Sequence, residues 1–399
     1  MIRFIYVTFK RLLAEVTSTH TRYLYHSFST HNRLTGLVGP RGVGKTTMLL
    51  QYIKHKLKPS EKAFYFSADL IYFQQASLLE FVAHLHEVEG YNIIFIDEIH
   101  KYRDWSIELK NLYDSFPSLK IVFSGSSMLD LVHGRGDLSR RAKMYYLRGM
   151  SFREYINFVT NQNYPPFTLE ELLTPQNTLS SIPQVLPMFK QYLEHGYYPF
   201  VFDDVHSYYE KLTQIIDKTI YEDIANFYQL KAQNLYHFKR LLTFLGSIPP
   251  GEANVHNIGN SLGIDDKTAE HYLWILNSVG LVRFLYPYGG GGKALSKPLK
   301  ICLNNTTLIH TLKQYHGNDI HIGTQRELFF VQAMQDAGHD LYFSNEGDFR
   351  TNGAVFEIGG KSKSRKQLKG VPIPSFVVKD DILTPMRGEI PLYYFGFLL

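Results

Sequence analysis

Gly39-Pro40-Arg41-Gly42-Val43-Gly44-Lys45-Thr46-Thr47 decides the fold, because it fits G-x-x-x-x-G-K-[ST] in full and stands between two elements of different period. Before it, Leu34-Thr35-Gly36-Leu37-Val38 reads as a short buried strand. After it, Met48, Leu49, Tyr52, Ile53 and Leu57 recur at helical spacing. Strand, glycine loop and helix in that order make a phosphate cradle. The glycines let successive backbone N–H groups turn inward on an anion, and the helix N-terminus adds partial positive charge. Lys45 is expected to reach the β and γ phosphates, and the Thr46 hydroxyl to ligate Mg²⁺.

Further along, Ile93-Ile94-Phe95-Ile96-Asp97-Glu98 places four bulky apolar residues before two acids. This predicts a central parallel strand, buried on both faces, that delivers its carboxylates to the edge where ligands bind in open α/β sheets. Asp97 is expected to hold the Mg²⁺ shell and Glu98 to polarise an attacking water. The next strand, Lys120-Ile121-Val122-Phe123, ends in Ser124-Gly125-Ser126-Ser127. Ser124 or Ser126 either helps orient that water, as a polar side chain does at this strand tip in additional-strand P-loop ATPases, or caps a helix starting near Met128.

Gly39 to Thr47, the block Ile93 to His100, the turn Ser124 to Ser127 and Met150-Ser151-Phe152-Arg153-Glu154-Tyr155 together resemble the prokaryotic AAA-type ATPases that carry an extra C-terminal domain of unknown function. The likeness extends over most of the chain and is strongest from about 33 to 160. It implies an α/β fold, a P-loop NTPase with a parallel sheet of the additional-strand AAA+ type. It also implies ATP as the nucleotide and a homo-oligomer. In that family an arginine follows a glycine shortly before the strand leading to the Ser-Phe-x-Glu block. The matching stretch here is Gly136-Asp137-Leu138-Ser139-Arg140-Arg141. Arg141 matches best, with Arg140 beside it and Arg135 nearby. They either reach the γ phosphate of a neighbouring subunit or form a solvated basic loop.

The domain pattern expected is an ATPase domain over 1–150, a helical lid over 151–233, a winged helix-turn-helix over 234–288 and a restriction-endonuclease-like domain over 293–399. Prolines at 165, 166, 175, 183, 187 and 199 break the lid into short helices, and a longer amphipathic helix starts at Glu210. An apolar helix ending near Leu245, the glycine turn at Gly263, a capped helix carrying Ala269, Leu273, Leu276 and Val279, and the strand Gly280 to Leu285 predict the winged module. Lys267, Thr268 and His271 would lie near a groove, with Arg283 and Lys293 on phosphates. Asp265, Asp266 and Glu270 oppose that reading, and a winged helix that only packs on its own ATPase is the alternative.

Gly289-Gly290-Gly291-Gly292 reads as a linker, after which a new unit begins. The resemblance implies an endonuclease-like fold there, with Glu327, Asp348 and Glu357 as its acids. The lysine is displaced: Lys361 lies four residues past Glu357, roughly 13 Å along a strand against about 6.6 Å for a two-residue step. The site is therefore expected to be an inactive nuclease, unless the two glycines bulge and shorten the path. Lys361, Lys363, Arg365, Lys366 and Lys369 either face phosphate or form a solvated loop.

The whole composition is compatible with this reading. The 399 residues suffice for two or three domains, and 44% apolar with 20% charged residues excludes bulk disorder. A net charge of +5 permits nucleic-acid binding without demonstrating it. The single cysteine, Cys302, excludes an internal disulfide or multi-cysteine metal site and suits a reducing, cytoplasmic location. No apolar run is long enough to span a bilayer, and Met1 to Arg11 reads as an amphipathic helix, so no membrane partner is expected. Three functions remain open: an ATP-hydrolysing machine whose C-terminal modules engage DNA, a slow ATP-dependent switch that holds a protein partner, or an ATP-gated nuclease.

Overall fold

The structure is a computed structural model. It describes residues 2–58, 60–125, 138, 140–174, 179–249, 255–289, 300–317 and 319–399, with His316 by its backbone alone. The chain divides into two compact units, Met1–Arg148 and Gly149–Leu399. Of the residues singled out above, Ser126, Ser127, Met128, Arg135, Gly136, Asp137, Ser139, Pro175, the glycines 290–292 and Lys293 lie outside the described residues.

The first unit is a parallel sheet of five strands: β1 (Leu34–Val38), β2 (Ala63–Ser67), β3 (Ile93–Asp97), β4 (Lys120–Gly125) and β5 (Ala142–Tyr146), in the order β2-β3-β4-β1-β5. β3 is buried at every position, as its run of isoleucines and phenylalanine requires of a strand covered on both faces. β5, with Lys143 and two tyrosines, lies half-exposed at an edge. β4 is inserted between the strand that leads into the glycine loop and the strand that carries the acids. The register sets Val38 opposite Gly125 and Ser67 opposite Asp97, so the start of the glycine loop, the acids and Ser124 lie at one edge of the sheet.

Helix α1 (Ile2–Glu15) buries Ile5 and Phe9, and Phe9 packs on Phe64 with ring centroids 5.1 Å apart. Many of the aromatics in this unit fill its core. Phe66, Phe73 and Phe81 sit 5.0–5.4 Å from one another, at the distances where edge-to-face contact adds to area burial. Among the described residues no helix is long and apolar enough to cross a membrane.

In the second unit the stretch after Phe152 is helical in short pieces. The helix Phe152–Thr160 is closed by a capping box, in which Ser151 and Glu154 satisfy each other's backbone N–H. The helix expected from Glu210 starts at Tyr208, runs to Lys218 and continues through a wider turn, Thr219–Ile224, to Tyr228. Helices Ala232–Ser247, Val255–Leu262 and Asp266–Ser278 follow, the last capped by Asp265, which accepts the Thr268 N–H at 3.0 Å.

β6 (Val282–Leu285) then pairs antiparallel with β7 (Lys300–Leu303). The two strands pair across the glycine run that reads as a linker. A second sheet, β8 (Tyr342–Phe343), β9 (Phe349–Arg350), β10 (Val355–Gly359), β11 (Ser375–Lys379) and β12 (Glu389–Pro391), has the order β12-β11-β10-β9-β8, with β10, β11 and β12 parallel.

Candidate nucleotide site

Helix α2 (Lys45–His55) begins directly after the glycine loop, so its first N–H groups open onto it. Gly42 and Gly44 hold φ of 79° and 91°, a left-handed turn that side chains resist. At Gly39 a Cβ would meet the Leu147 carbonyl oxygen at 2.1 Å, so only glycine lets the loop lie against the end of β5. The Lys45 side chain is buried, and its ammonium donates to the Gly39 and Pro40 carbonyls, both at 2.9 Å. That holds one positive charge over the mouth of the loop.

Asp97 is the hub. Its Oδ2 accepts the Thr46 hydroxyl at 2.5 Å and the Tyr65 hydroxyl at 2.8 Å. Its Oδ1 accepts the Ser124 hydroxyl and, at 3.1 Å, the Glu98 N–H. The carboxylate is almost wholly buried and accepts these four hydrogen bonds. Burial first, and then the Asp97 charge, push the Tyr65 phenol well above its ordinary value, so it remains a donor.

Glu98 leaves the strand with φ 49°, a left-handed conformation that costs a non-glycine residue about 1–3 kcal/mol. The twist takes Glu98 out of the strand's alternation. Its carboxylate is partly exposed, 3.5 Å from the Nε2 of the buried His100. Ser124 is fully buried and bonded to Asp97, and its oxygen accepts the Glu98 N–H at 3.3 Å, so it joins the two acids.

Thr46, in the first turn of α2, and Asp97, at the end of β3, offer hard oxygens. One carboxylate with one hydroxyl is the set that suits Mg²⁺ held mainly through phosphate oxygens. Among the described residues there is no cluster of three or more His, Cys, Asp or Glu able to hold a metal by itself.

Two residues that the sequence reading passes over support this site. Tyr65 lies in an aromatic strand with no motif around it. Arg22 is buried before β1, and its guanidinium donates to the Val43 carbonyl in the loop and, at 2.9 Å, to the Arg148 carbonyl after β5. Neither has a local signal, since each acts on a residue far along the chain.

Arg140 and Arg141 precede β5 at the opposite end from the loop, since Ala142 pairs with Leu34 and Tyr146 with Val38. Five strand residues separate the two ends, roughly 16 Å. Arg141 Nε lies 3.5 Å from the Asp114 carboxylate, and its guanidinium lies 5.7 Å from the centroid of the Tyr113 ring.

In the second unit the structure corrects two expectations. Arg283 does not reach solvent. It is 6% exposed, pairs with Asp336 at 2.8 Å and donates to the Asn304 carbonyl, because its position on β6 faces the unit's interior. The amine at Glu357 comes from Lys363, not Lys361: Lys363 pairs with the buried Glu357 carboxylate, and its stem packs against Gly359. Burial raises the Glu357 carboxyl against the pull of Lys363. Glu327 is likewise raised by burial and pairs with Lys300 at 3.1 Å, while Asp348 accepts the Ile358 N–H at 2.7 Å. Both glutamates thus face lysines of their own chain. Lys361, Arg365, Lys366 and Lys369 are exposed, and Arg365 also donates to the Gly388 and Ser375 carbonyls. On the helix Asp266–Ser278, Lys267, His271 and Trp274 share the exposed face, and Thr268 is half-buried. Cys302 is buried, and burial pushes its thiol up to about 12.

A family model described as an AAA domain matches residues 31–156, and one described as a domain of unknown function, DUF8612, matches residues 186–319. The uncharacterized protein MJ1637 of Methanocaldococcus jannaschii is 31% identical over 285 residues, which cover 66% of this chain and 59% of that one. The chain thus spans less than two thirds of the length of this curated relative. Among solved structures, AMPPCP-bound DnaA from Aquifex aeolicus is 16% identical, with 68% of this chain and 86% of that chain covered and a TM-score of 0.26. The Hsp104–ADP complex of S. cerevisiae is 14% identical, with coverages of 81% and 42% and a TM-score of 0.30. Likenesses at these scores do not bear on the site.

Proposed function

We propose that this chain, whose residues 31–156 match an AAA domain, hydrolyses ATP and couples its nucleotide state to binding of nucleic acid through its C-terminal modules. The observation that carries the hydrolytic reading is the bond from Thr46 to Asp97, which joins the first turn of α2 to the acid strand, with Glu98 next in the chain. In this reading the loop amides of Gly39 to Thr47 surround the β and γ phosphates, and Lys45 turns from the Gly39 and Pro40 carbonyls to phosphate oxygens. Thr46 and Asp97 hold Mg²⁺, which when bound neutralises charge on those oxygens. Glu98 accepts a proton as water attacks the γ phosphorus. The bond to the bridging oxygen breaks, and ADP and phosphate leave. Ser124 keeps Asp97 and the Glu98 backbone in register.

Arg141, with Arg140 beside it, serves the site of a neighbouring copy in a homo-oligomer, since roughly 16 Å of sheet separates both from their own loop. An arginine supplied in trans is worth about 10³–10⁵ in turnover in the best-known cases. Arg141→Ala is therefore expected to lose turnover at least tenfold at concentrations where the wild type assembles, with ATP affinity unchanged. Full activity of this variant at every protein concentration would end the trans role.

Nucleic acid is the first partner proposed. Lys267, Lys361, Lys366 and Lys369 are exposed cations, and His271 is exposed on the same helix face as Lys267. Turnover is expected to rise several-fold with DNA and the effect to fall steeply with salt, because phosphate contacts release counterions. Trp274 favours a second reading, a slow switch holding a protein partner. It is 44% exposed on the same helix face as Lys267 and His271, beside the acids Asp265, Asp266 and Glu270. An apolar ring among mixed charges suits a protein surface better than a phosphate backbone. Slow turnover unchanged by DNA would select that reading.

A further inference from the structure

Tyr65 completes the ring of bonds around Asp97 from a strand that carries no motif. β2 pairs with β3 so that Tyr65 lies opposite Phe95. Asp97 is two residues on, hence on the same face of the sheet. A side chain as long as tyrosine spans that diagonal, and its hydroxyl donates to Asp97 Oδ2 at 2.8 Å. From the other neighbour of β3, the Ser124 hydroxyl on β4 donates to Oδ1. The two strands that flank β3 thus grip one carboxylate oxygen each and fix its plane.

We propose that Tyr65 is a positioning residue for metal binding: its hydroxyl holds the Asp97 carboxylate in the orientation that meets the Thr46 hydroxyl. The proposal rests on the reading of Thr46 and Asp97 as the Mg²⁺ pair. Without the phenol, Oδ2 keeps the Thr46 hydroxyl, whose oxygen also faces the metal in that reading. Tyr65 lends a bond that metal entry does not disturb, because its ring is 4% exposed and packed near Phe9, 6.2 Å between centroids. A phenol that merely satisfies its own burial would contribute to stability and leave metal affinity alone.

Tyr65→Phe keeps the ring and removes only the hydroxyl. The measurement is the affinity of a fluorescent ATP analogue in EDTA and along a Mg²⁺ titration. Affinity in EDTA is expected to stay within about twofold of wild type, and the Mg²⁺ concentration giving half the metal effect to rise roughly tenfold, as for one lost hydrogen bond to a charged group. A wild-type midpoint would overturn the proposal. So would loss of the fold in thermal unfolding without ligand, since the phenol would then serve the core. Asp97→Asn separates this from the parent reading: it is expected to erase the Mg²⁺ effect. If Asp97→Asn erases the effect while Tyr65→Phe shows the wild-type midpoint, the Tyr65 proposal alone falls. If Asp97→Asn keeps the effect, the Thr46 and Asp97 reading falls, and the Tyr65 proposal with it.

Discussion

Lys45→Ala is expected to weaken ATP binding by roughly 100-fold or more. Hydrogen bonds to charged groups contribute about 1.5–3 kcal/mol each, and two from one ammonium to the β and γ phosphates amount to at least about 3 kcal/mol, or two decades in affinity. The fold should tolerate the change. The ammonium bonds the Gly39 and Pro40 carbonyls, and a loop at the sheet edge can pass those acceptors to water. Titration of a fluorescent nucleotide against both proteins, with thermal unfolding as the control for folding, measures the effect. Equal affinities for variant and wild type would place the phosphates elsewhere.

The second large effect belongs to Glu98→Gln. Glutamine keeps the shape of the side chain and the left-handed backbone at 98, but it cannot take up a proton. General-base removal lowers rates by about 10²–10⁴, so phosphate release should fall at least 100-fold while ATP affinity stays within about twofold. That split distinguishes a base from a binding residue. The neighbouring contact makes the prediction specific, because His100 Nε2 stands 3.5 Å from the carboxylate, a spacing that glutamine also fits. Undiminished phosphate release by Glu98→Gln would remove Glu98 from the chemistry.

How much of this was legible depended on how far each residue acts along the chain. The α/β class and the parallel sheet follow from local patterns: strand, glycine loop and helix over 34–57, and a doubly buried strand before Asp97. The insertion of β4 between β1 and β3 is a matter of sheet order, which periodicity does not encode; here it was implied by resemblance. Tyr65 and Arg22 reach the site through strand pairing and a buried guanidinium, and their own neighbourhoods carry no sign of it. Arg283 shows the converse. A cation on a ribbon strand suggests phosphate contact, but its partner Asp336 is fifty-three residues away and takes it into the interior. At Glu357, counting along an ideal strand put Lys361 too far, whereas the chain turns after Gly359 and returns Lys363.

The most direct test of the central claim is calorimetric titration of the wild-type chain with ATP in the presence of Mg²⁺. The account predicts saturable binding of one nucleotide per chain, abolished or strongly weakened in Lys45→Ala under the same conditions. Absence of saturable binding up to roughly 1 mM ATP, the upper end of ordinary substrate affinities, would contradict it.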